Sequence, residues 1–371
     1  MTIRSWSPFQ SPRQGSRTSQ AHINAVGTAV PKHDVHQAFI RWAEARIEDP
    51  RPRALFARMA ARSGIEHRWS VLPASPGGGS PVDEGGFYHG DPPRTGDRMD
   101  IYAREAPALA LEAIGRLEAA ALVGITHLIV ASCTGFVAPG IDQIIAAELG
   151  LGGHVERTLV GFMGCYAAVS SLRLAHHIVR SEPGARVLVV TVELSSLHLQ
   201  YEEDVERLLA LLQFGDGATA SLVTAEPSGF ALSRPFVATL PDSRDLIRWR
   251  VGDHGFVMDL SGEVPGRIGE ALRDRRVREA MLGNEEPQAF DSWAVHAGGR
   301  SVLDSVEHGL ALPAEALAPS RDVLRRFGNM SSSTLPFVLE KMLADPERRR
   351  GIALAFGPGL AAEGFHFERA A

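Results

Sequence analysis

Residues Gly161–Ala175 read GFMGCYAAVSSLRLA, and this stretch decides the fold. A β-rich run, Arg157–Phe162, leads into it. A glycine turn then sets Cys165 directly after Gly164, and a small-residue apolar helix pattern follows, Ala167-Ala168-Val169-Ser170-Ser171-Leu172. Strand, turn, thiol and buried helix together place Cys165 at a helix N-terminus, where the dipole and free backbone N–H groups favour a thiolate. Taken alone, such a cysteine is equally well a buried structural thiol.

Working outward, the apolar runs Ala21–Val30, Thr126–Ser132, Arg186–Glu193 and Ala218–Thr224 read as strands. Gln37–Ile47, Ala54–Arg62, Asp100–Ala120, Gly140–Leu149 and Tyr166–Arg180 carry helical periodicity, and Pro107 predicts a kink or a break in the third of these. Pro73–Asp97, dense in Pro and Gly, reads as a long surface loop or an active-site cover. After about Pro227 the layout begins again. Phe230–Ala238, Asp291–Ala297, Gly351–Phe356 and Gly364–Arg369 are strand-like; Gly266–Met281, Ser301–Leu310, Ser320–Phe327 and Ser331–Leu343 are helical. Apolar strands alternating with helices predict a layered α/β fold with largely buried strands. Its two duplicated halves, residues 21–228 and 229–371, meet at a shared site. Residues 1–20, rich in Ser and Arg and free of acids, are expected to form a disordered tail.

Composition narrows the function. A net charge of −6 argues against nucleic-acid binding as the main business. No run approaches the ~20 consecutive apolar residues of a membrane-spanning helix. Two cysteines, Cys133 and Cys165, in 371 residues exclude a disulfide scaffold and suit a reducing cytoplasm. The 14 histidines lack zinc-ligand spacing, so no metal is expected.

Three further places attract chemistry. His296, in Trp293-Ala294-Val295-His296-Ala297-Gly298-Gly299, ends a buried strand beside glycines that permit close approach, although a satisfied core histidine looks the same. Asn329 lies in Phe327-Gly328-Asn329-Met330-Ser331, which an ordinary helix N-cap would also explain. Phe214-Gly215-Asp216-Gly217-Ala218 places an Asp-Gly turn before a strand, as a simple hairpin would. Together they answer one need. A Cys–His thiolate–imidazolium pair attacks a thioester, His and Asn N–H groups hold an enolate or tetrahedral oxygen, and a phenylalanine desolvates a departing carboxylate.

Cys165 in GFMGCYAA, Phe214 in FGDGA, His296 in VHAGG and Asn329 in GNMSSST stand in the order and spacing of the type III polyketide synthases, the chalcone-synthase superfamily. ASCTGFVAPGID at 131–142, DRMDIYAREAPALA at 97–110 and FGPGLAAE at 356–363 add to a resemblance running from Ile23 to Phe367. The resemblance implies a thiolase-like, five-layered αβαβα homodimer built from two duplicated halves, with no metal or organic cofactor. It implies loading of an acyl-CoA starter, iterative decarboxylative extension with malonyl-CoA, and cyclisation to a pyrone or resorcinol-type product. A single-round β-ketoacyl synthase of the fatty-acid-initiating type is the alternative. By the same resemblance Arg58 and Arg62 match positions that hold the CoA phosphates, and Gly357, Pro358 and Gly359 form the loop shaping the cyclisation cavity. Cys133, Ser195, His198, Trp249 and Met258 fall at cavity positions where plant enzymes carry other residues. A cavity relined in this way should not make a plant flavonoid product. Its methionine and small residues favour a flexible, fatty acyl starter.

Overall fold

The computed structural model describes residues 19–371, so the expected tail, residues 1–20, lies almost wholly outside the described residues. The first half runs β1 (His22–Ala29), β2 (His33–Asp34), α1 (His36–Arg46), α2 (Pro50–Ala61), β3 (Trp69–Ser70), α3 (Thr95–Ile114), β4 (His127–Ser132), α4 (Ile141–Glu148), β5 (Glu156–Gly161), α5 (Ala167–Ser181), β6 (Val187–Leu194), α6 (Val205–Leu211) and β7 (Asp216–Thr224). The second runs β8 (Phe230–Thr239), β9 (Ile247–Gly252), β10 (Gly255–Leu260), α7 (Val264–Ala271), α8 (Arg275–Leu282), β11 (Ser292–Val295), α9 (Arg300–Leu310), α10 (Ala318–Phe327), α11 (Thr334–Leu343), β12 (Arg350–Gly357) and β13 (Ala361–Arg369).

The main sheet has the order β11-β12-β13-β8-β1-β7-β6-β4-β5, so each half contributes one contiguous block. A short pairing of β1 with β8, His22↔Ala231 and Ile23↔Phe230, joins the two blocks. Between the blocks lie two helices. α5 packs on β4, β6 and β7 of one half and on β12 and β13 of the other; α11 reaches β1 and β7 as well as β11 and β12. Val169, Leu172, Ala175 and Val179 of α5 share one core with Phe337 and Val338 of α11 and with strand residues of both halves. A helix clad on both sides needs small apolar residues nearly all round, which is what AAVSSLRLA supplies. α3 and α4 cover the outer face of the first block, while α7 and α9 pack on the outer face of the second. The result is the expected α-β-α-β-α layering. Strands covered on both faces are fully buried, as β6 and β7 are, and β6 is apolar apart from Thr191 and Glu193.

Four local expectations are corrected. Of the kink or break expected at Pro107 the break does not occur: one helix, α3, runs through it, beginning at Thr95, where the Arg94 N–H donates to Asp97 Oδ2 at 2.9 Å. The helix expected over Gly266–Met281 is two, because Asp274 caps α8 by accepting from the N–H groups of Arg276 and Val277. The Asp216-Gly217 pair is not a hairpin turn but the start of β7. Finally, α6 and the β9–β10 hairpin occupy stretches where periodicity showed no element; Asp204 caps α6 through the Arg207 N–H.

Candidate active site

β5 ends at Gly161, and the chain turns through Phe162 (φ 58°) and Gly164 (φ 74°) into a 3-10 turn, Gly164–Tyr166, that runs on into α5. Cys165 therefore stands at the start of the central helix, between the two half-sheets. Glycine is required at this turn: a Cβ on Gly164 would overlap the Pro358 ring, and one on Gly357 would come within 2.6 Å of the Tyr166 ring. The Gly357-Pro358 segment thus packs directly against the nucleophile turn.

His296 follows β11, and its N–H donates to the Leu354 carbonyl of β12 at 2.8 Å. The ring is buried, yet among the described residues neither Nδ1 nor Nε2 has a hydrogen-bond partner. Asn329 is held on all sides but one. Its Oδ1 accepts from the Ser331 N–H at 2.8 Å, which fixes the carboxamide so that Nδ2 is the donor end; Nδ2 reaches the Gly298 carbonyl at 3.2 Å. Its backbone exchanges hydrogen bonds with Gln213 and Gly215, forming a parallel bridge between Phe214 and Asn329. The FGDGA and GNMSS motifs are therefore the two sides of one short ladder.

All four residues line a cavity of about 430 Å³, together with Cys133, Ser195, Trp249, Met258, Gly357 and Pro358. Its mouth, lined by Met59, Arg62, Gln213 and Arg300, adds about 420 Å³. Arg58 is exposed one turn before Arg62 on α2 and lies outside that lining. A smaller side chamber of about 70 Å³ adjoins the cavity across Ser195, Phe214, Trp249 and Met258. His198 borders this side chamber rather than the main cavity. It stacks on Phe256 at 4.2 Å, bonds the Thr134 carbonyl through Nε2 at 2.7 Å, and accepts from the Phe256 N–H at 3.0 Å. Gly359 lies outside the lining of either space, and its carbonyl accepts from Ser243. Trp249 is pinned by its indole N–H to the Cys133 carbonyl at 2.7 Å.

The electrostatics correct one expectation. Burial pushes the Cys165 thiol up to about 12, with the Ser331 hydroxyl and Asn329 carboxamide acting in the opposite sense, and burial pulls His296 down to about 3. Both shifts run against a standing thiolate–imidazolium pair. Desolvation disfavours each charge more than the helix N-terminus favours the anion. Proton transfer must accompany attack on the substrate.

Sequence reasoning missed Glu193. Its fully buried carboxylate accepts from the Cys133 and Ser332 side chains, the Cys133 N–H at 3.0 Å and the Thr134 hydroxyl at 3.0 Å. The Cys133 thiol is pushed far up by burial and by this carboxylate. The signal was available: a lone acid at the end of an otherwise apolar strand, VLVVTVEL. Burial raises Glu193 from 4.5 to about 7. Between those values the native protein keeps a proton that the unfolded chain releases, so stability falls as pH rises through this window. Glu193→Gln removes that dependence. Relative to wild type, the variant should gain on the order of 3 kcal/mol between about pH 5 and pH 8. Urea unfolding at both pH values measures it, and a difference that does not change with pH would contradict it.

The sequence profile of the chalcone and stilbene synthase N-terminal domain matches residues 10–227, and that of the C-terminal domain matches residues 232–369. The alpha-pyrone synthesis polyketide synthase-like Pks18 of Mycobacterium tuberculosis is 34% identical over 95% of this chain and 92% of its own length. Type III polyketide synthase 10 of Oryza sativa subsp. japonica is 32% identical over 96% and 94%. The crystal structure of PKS-I from the brown alga Ectocarpus siliculosus superposes with a TM-score of 0.84 at 27% identity, covering 96% of this chain and all of that one. The fold is thiolase-like, and the chain belongs to the chalcone and stilbene synthase family, the type III polyketide synthases.

Proposed function

We propose that the protein extends an acyl-CoA starter iteratively with malonyl-CoA and cyclises the chain to a pyrone or resorcinol-type product. One observation carries this reading: Cys165, His296, Asn329 and Phe214 converge on a single cavity of about 430 Å³. Cys165 Sγ attacks the starter thioester while its proton passes to a ring nitrogen of His296. The C–S bond to CoA breaks, the proton leaves with the CoA thiol, and the starter remains on Cys165. Malonyl-CoA then loses CO2 beside Phe214. The electrons of the broken C–C bond form an enolate, whose oxygen takes hydrogen bonds from a neutral His296 N–H and Asn329 Nδ2. The enolate carbon attacks the acyl-Cys165 carbonyl, a C–C bond replaces the C–S bond, and the freed sulfur is ready to take the longer chain back.

The low His296 value supports the donor role, since a neutral ring keeps one N–H and one lone pair for the two half-reactions. Val35, Phe39, Leu72 and Val82 of the side chamber offer an apolar resting place for the last few carbons of an aliphatic starter. Arg62 and Arg300 at the mouth suit the CoA phosphates, with Arg58 one turn away on the same helix. We propose further that the enzyme is a homodimer. β5 is an uncovered edge strand with Leu159 49% exposed, and Phe136, 51% exposed, lies beside it; a second copy would cover this edge. Two free thiols fit a cytoplasmic setting, and the chemistry draws on these side chains and CoA thioesters with no cofactor.

The test is a mass-spectrometric product screen with malonyl-CoA alone and with short-chain, fatty and aromatic acyl-CoA starters. Pyrones or resorcinols from a fatty acyl-CoA are expected. A β-ketoacyl product only, or activity confined to carrier-protein thioesters, would contradict the reading.

A further inference from the structure

We propose that Arg68 is a positioning residue for the malonyl half-reaction, holding the backbone ladder that presents Phe214 and Asn329; this rests on the function proposed above. Arg68 is a buried arginine, 4% exposed. Its Nη1 donates to the carbonyls of Phe214 at 2.7 Å and Leu211 at 3.2 Å, and its Nε donates to His36 Nδ1 at 3.0 Å. The guanidinium lies 4.6 Å from the Phe39 ring centroid. Leu211 is the last residue of α6, and its carbonyl accepts from Arg68 beside a long hydrogen bond from the Phe214 N–H at 3.4 Å.

The carbonyl it grips belongs to Phe214 itself. On either side of Phe214, Gln213 O accepts from the Asn329 N–H at 2.8 Å and the Gly215 N–H donates to Asn329 O at 3.0 Å. One guanidinium therefore braces, directly or through the ladder, two of the three residues that the decarboxylation uses. The seam has no slack. A Cβ on Gly215 would lie 2.9 Å from the Phe327 carbonyl, and one on Gly328 would lie 2.8 Å from the Gln213 carbonyl and 2.9 Å from Arg68 Cγ. A shift of Arg68 would be passed on to the ladder rather than absorbed. A buried cation is costly, and an apolar side chain of similar volume is often the more stable choice. The carboxylates of Asp34 and Asp216 partly offset that cost. Starter loading, by contrast, depends on Cys165 and His296, which hang from α5 and from β11 against β12, outside the ladder.

The experiment compares the full-length wild type with Arg68→Met and Arg68→Lys in two half-reactions: acylation of Cys165 by acetyl-CoA, a starter too short to reach the side chamber that Arg68 also lines, read by intact-protein mass, and CO2 release from malonyl-CoA. For Arg68→Met, acylation is expected to stay within about threefold of wild type while decarboxylation falls about 100-fold, as a displacement of about 1 Å can cause. Arg68→Lys, which can reach one of the two carbonyls, should recover part of the loss. Parallel losses in both half-reactions, or undiminished decarboxylation, would overturn the proposal. Should Arg68→Met fail to fold, His36→Ala removes the acceptor that orients the guanidinium; the same split at smaller amplitude is expected, and its absence counts against the proposal. A wild-type enzyme that releases no CO2 from malonyl-CoA would instead overturn the parent reading, and this one with it.

Discussion

Cys165→Ala is expected to abolish covalent starter loading and to reduce polyketide formation by a thousandfold or more, on the order seen when nucleophiles are removed from comparable sites. Intact-protein mass after incubation with acyl-CoA should show the acyl adduct on wild type and none on the variant. The fold should survive, because the lost sulfur is a small group at the edge of a large cavity and its partners, Ser331 and Asn329, are bonded elsewhere. Malonyl-CoA decarboxylation should continue in this variant, since Phe214, His296 and Asn329 remain in place. Extended polyketides from Cys165→Ala would remove the covalent role assigned to this residue.

The converse variants separate the second half-reaction. Asn329→Ala and His296→Ala should each lower malonyl-CoA decarboxylation by about 100- to 1000-fold, the value of one oxyanion donor, or about 2.7–4 kcal/mol. CO2 release with Cys165 intact measures it directly. The two differ in their cost to the fold. Asn329 Oδ1 accepts from the Ser331 N–H, so its removal leaves a buried donor unpaired and should lower stability by about 1–3 kcal/mol. Among the described residues His296 has no side-chain hydrogen-bond partner, so no such bond is lost with its ring. An unpartnered buried imidazole is a feature that folding alone would not select. Undiminished decarboxylation in both variants would refute the enolate-holding assignment.

Much of this site was legible in the sequence because each motif has a local physical cause. GFMGCYAA needs glycine where Pro358 packs against the turn and small residues where α5 runs between two sheets, and both needs leave marks on the chain. VHAGG and GNMSS marked His296 and Asn329 in the same way. Long-range pairing was not legible. FGDGA looks like a hairpin turn because its true partner, Asn329, lies far away in sequence, and no local pattern reports a parallel bridge of that span. Glu193 and Arg68 escaped notice for a related reason: a buried charge is explained only by partners that the fold brings from other segments. The charge state of Cys165 and His296 also depended on depth. The helix N-terminus was visible in sequence, while the burial that overrides it was not.

The central claim is that one cavity carries several rounds of extension on Cys165. The most direct measurement supplies an unlabelled acyl-CoA starter with uniformly 13C-labelled malonyl-CoA and reads the mass of the released product. Each round adds two labelled carbons. A cyclised product carrying the label of two or three rounds is the predicted result. A product with a single labelled pair, released as a β-ketoacyl thioester, would contradict it.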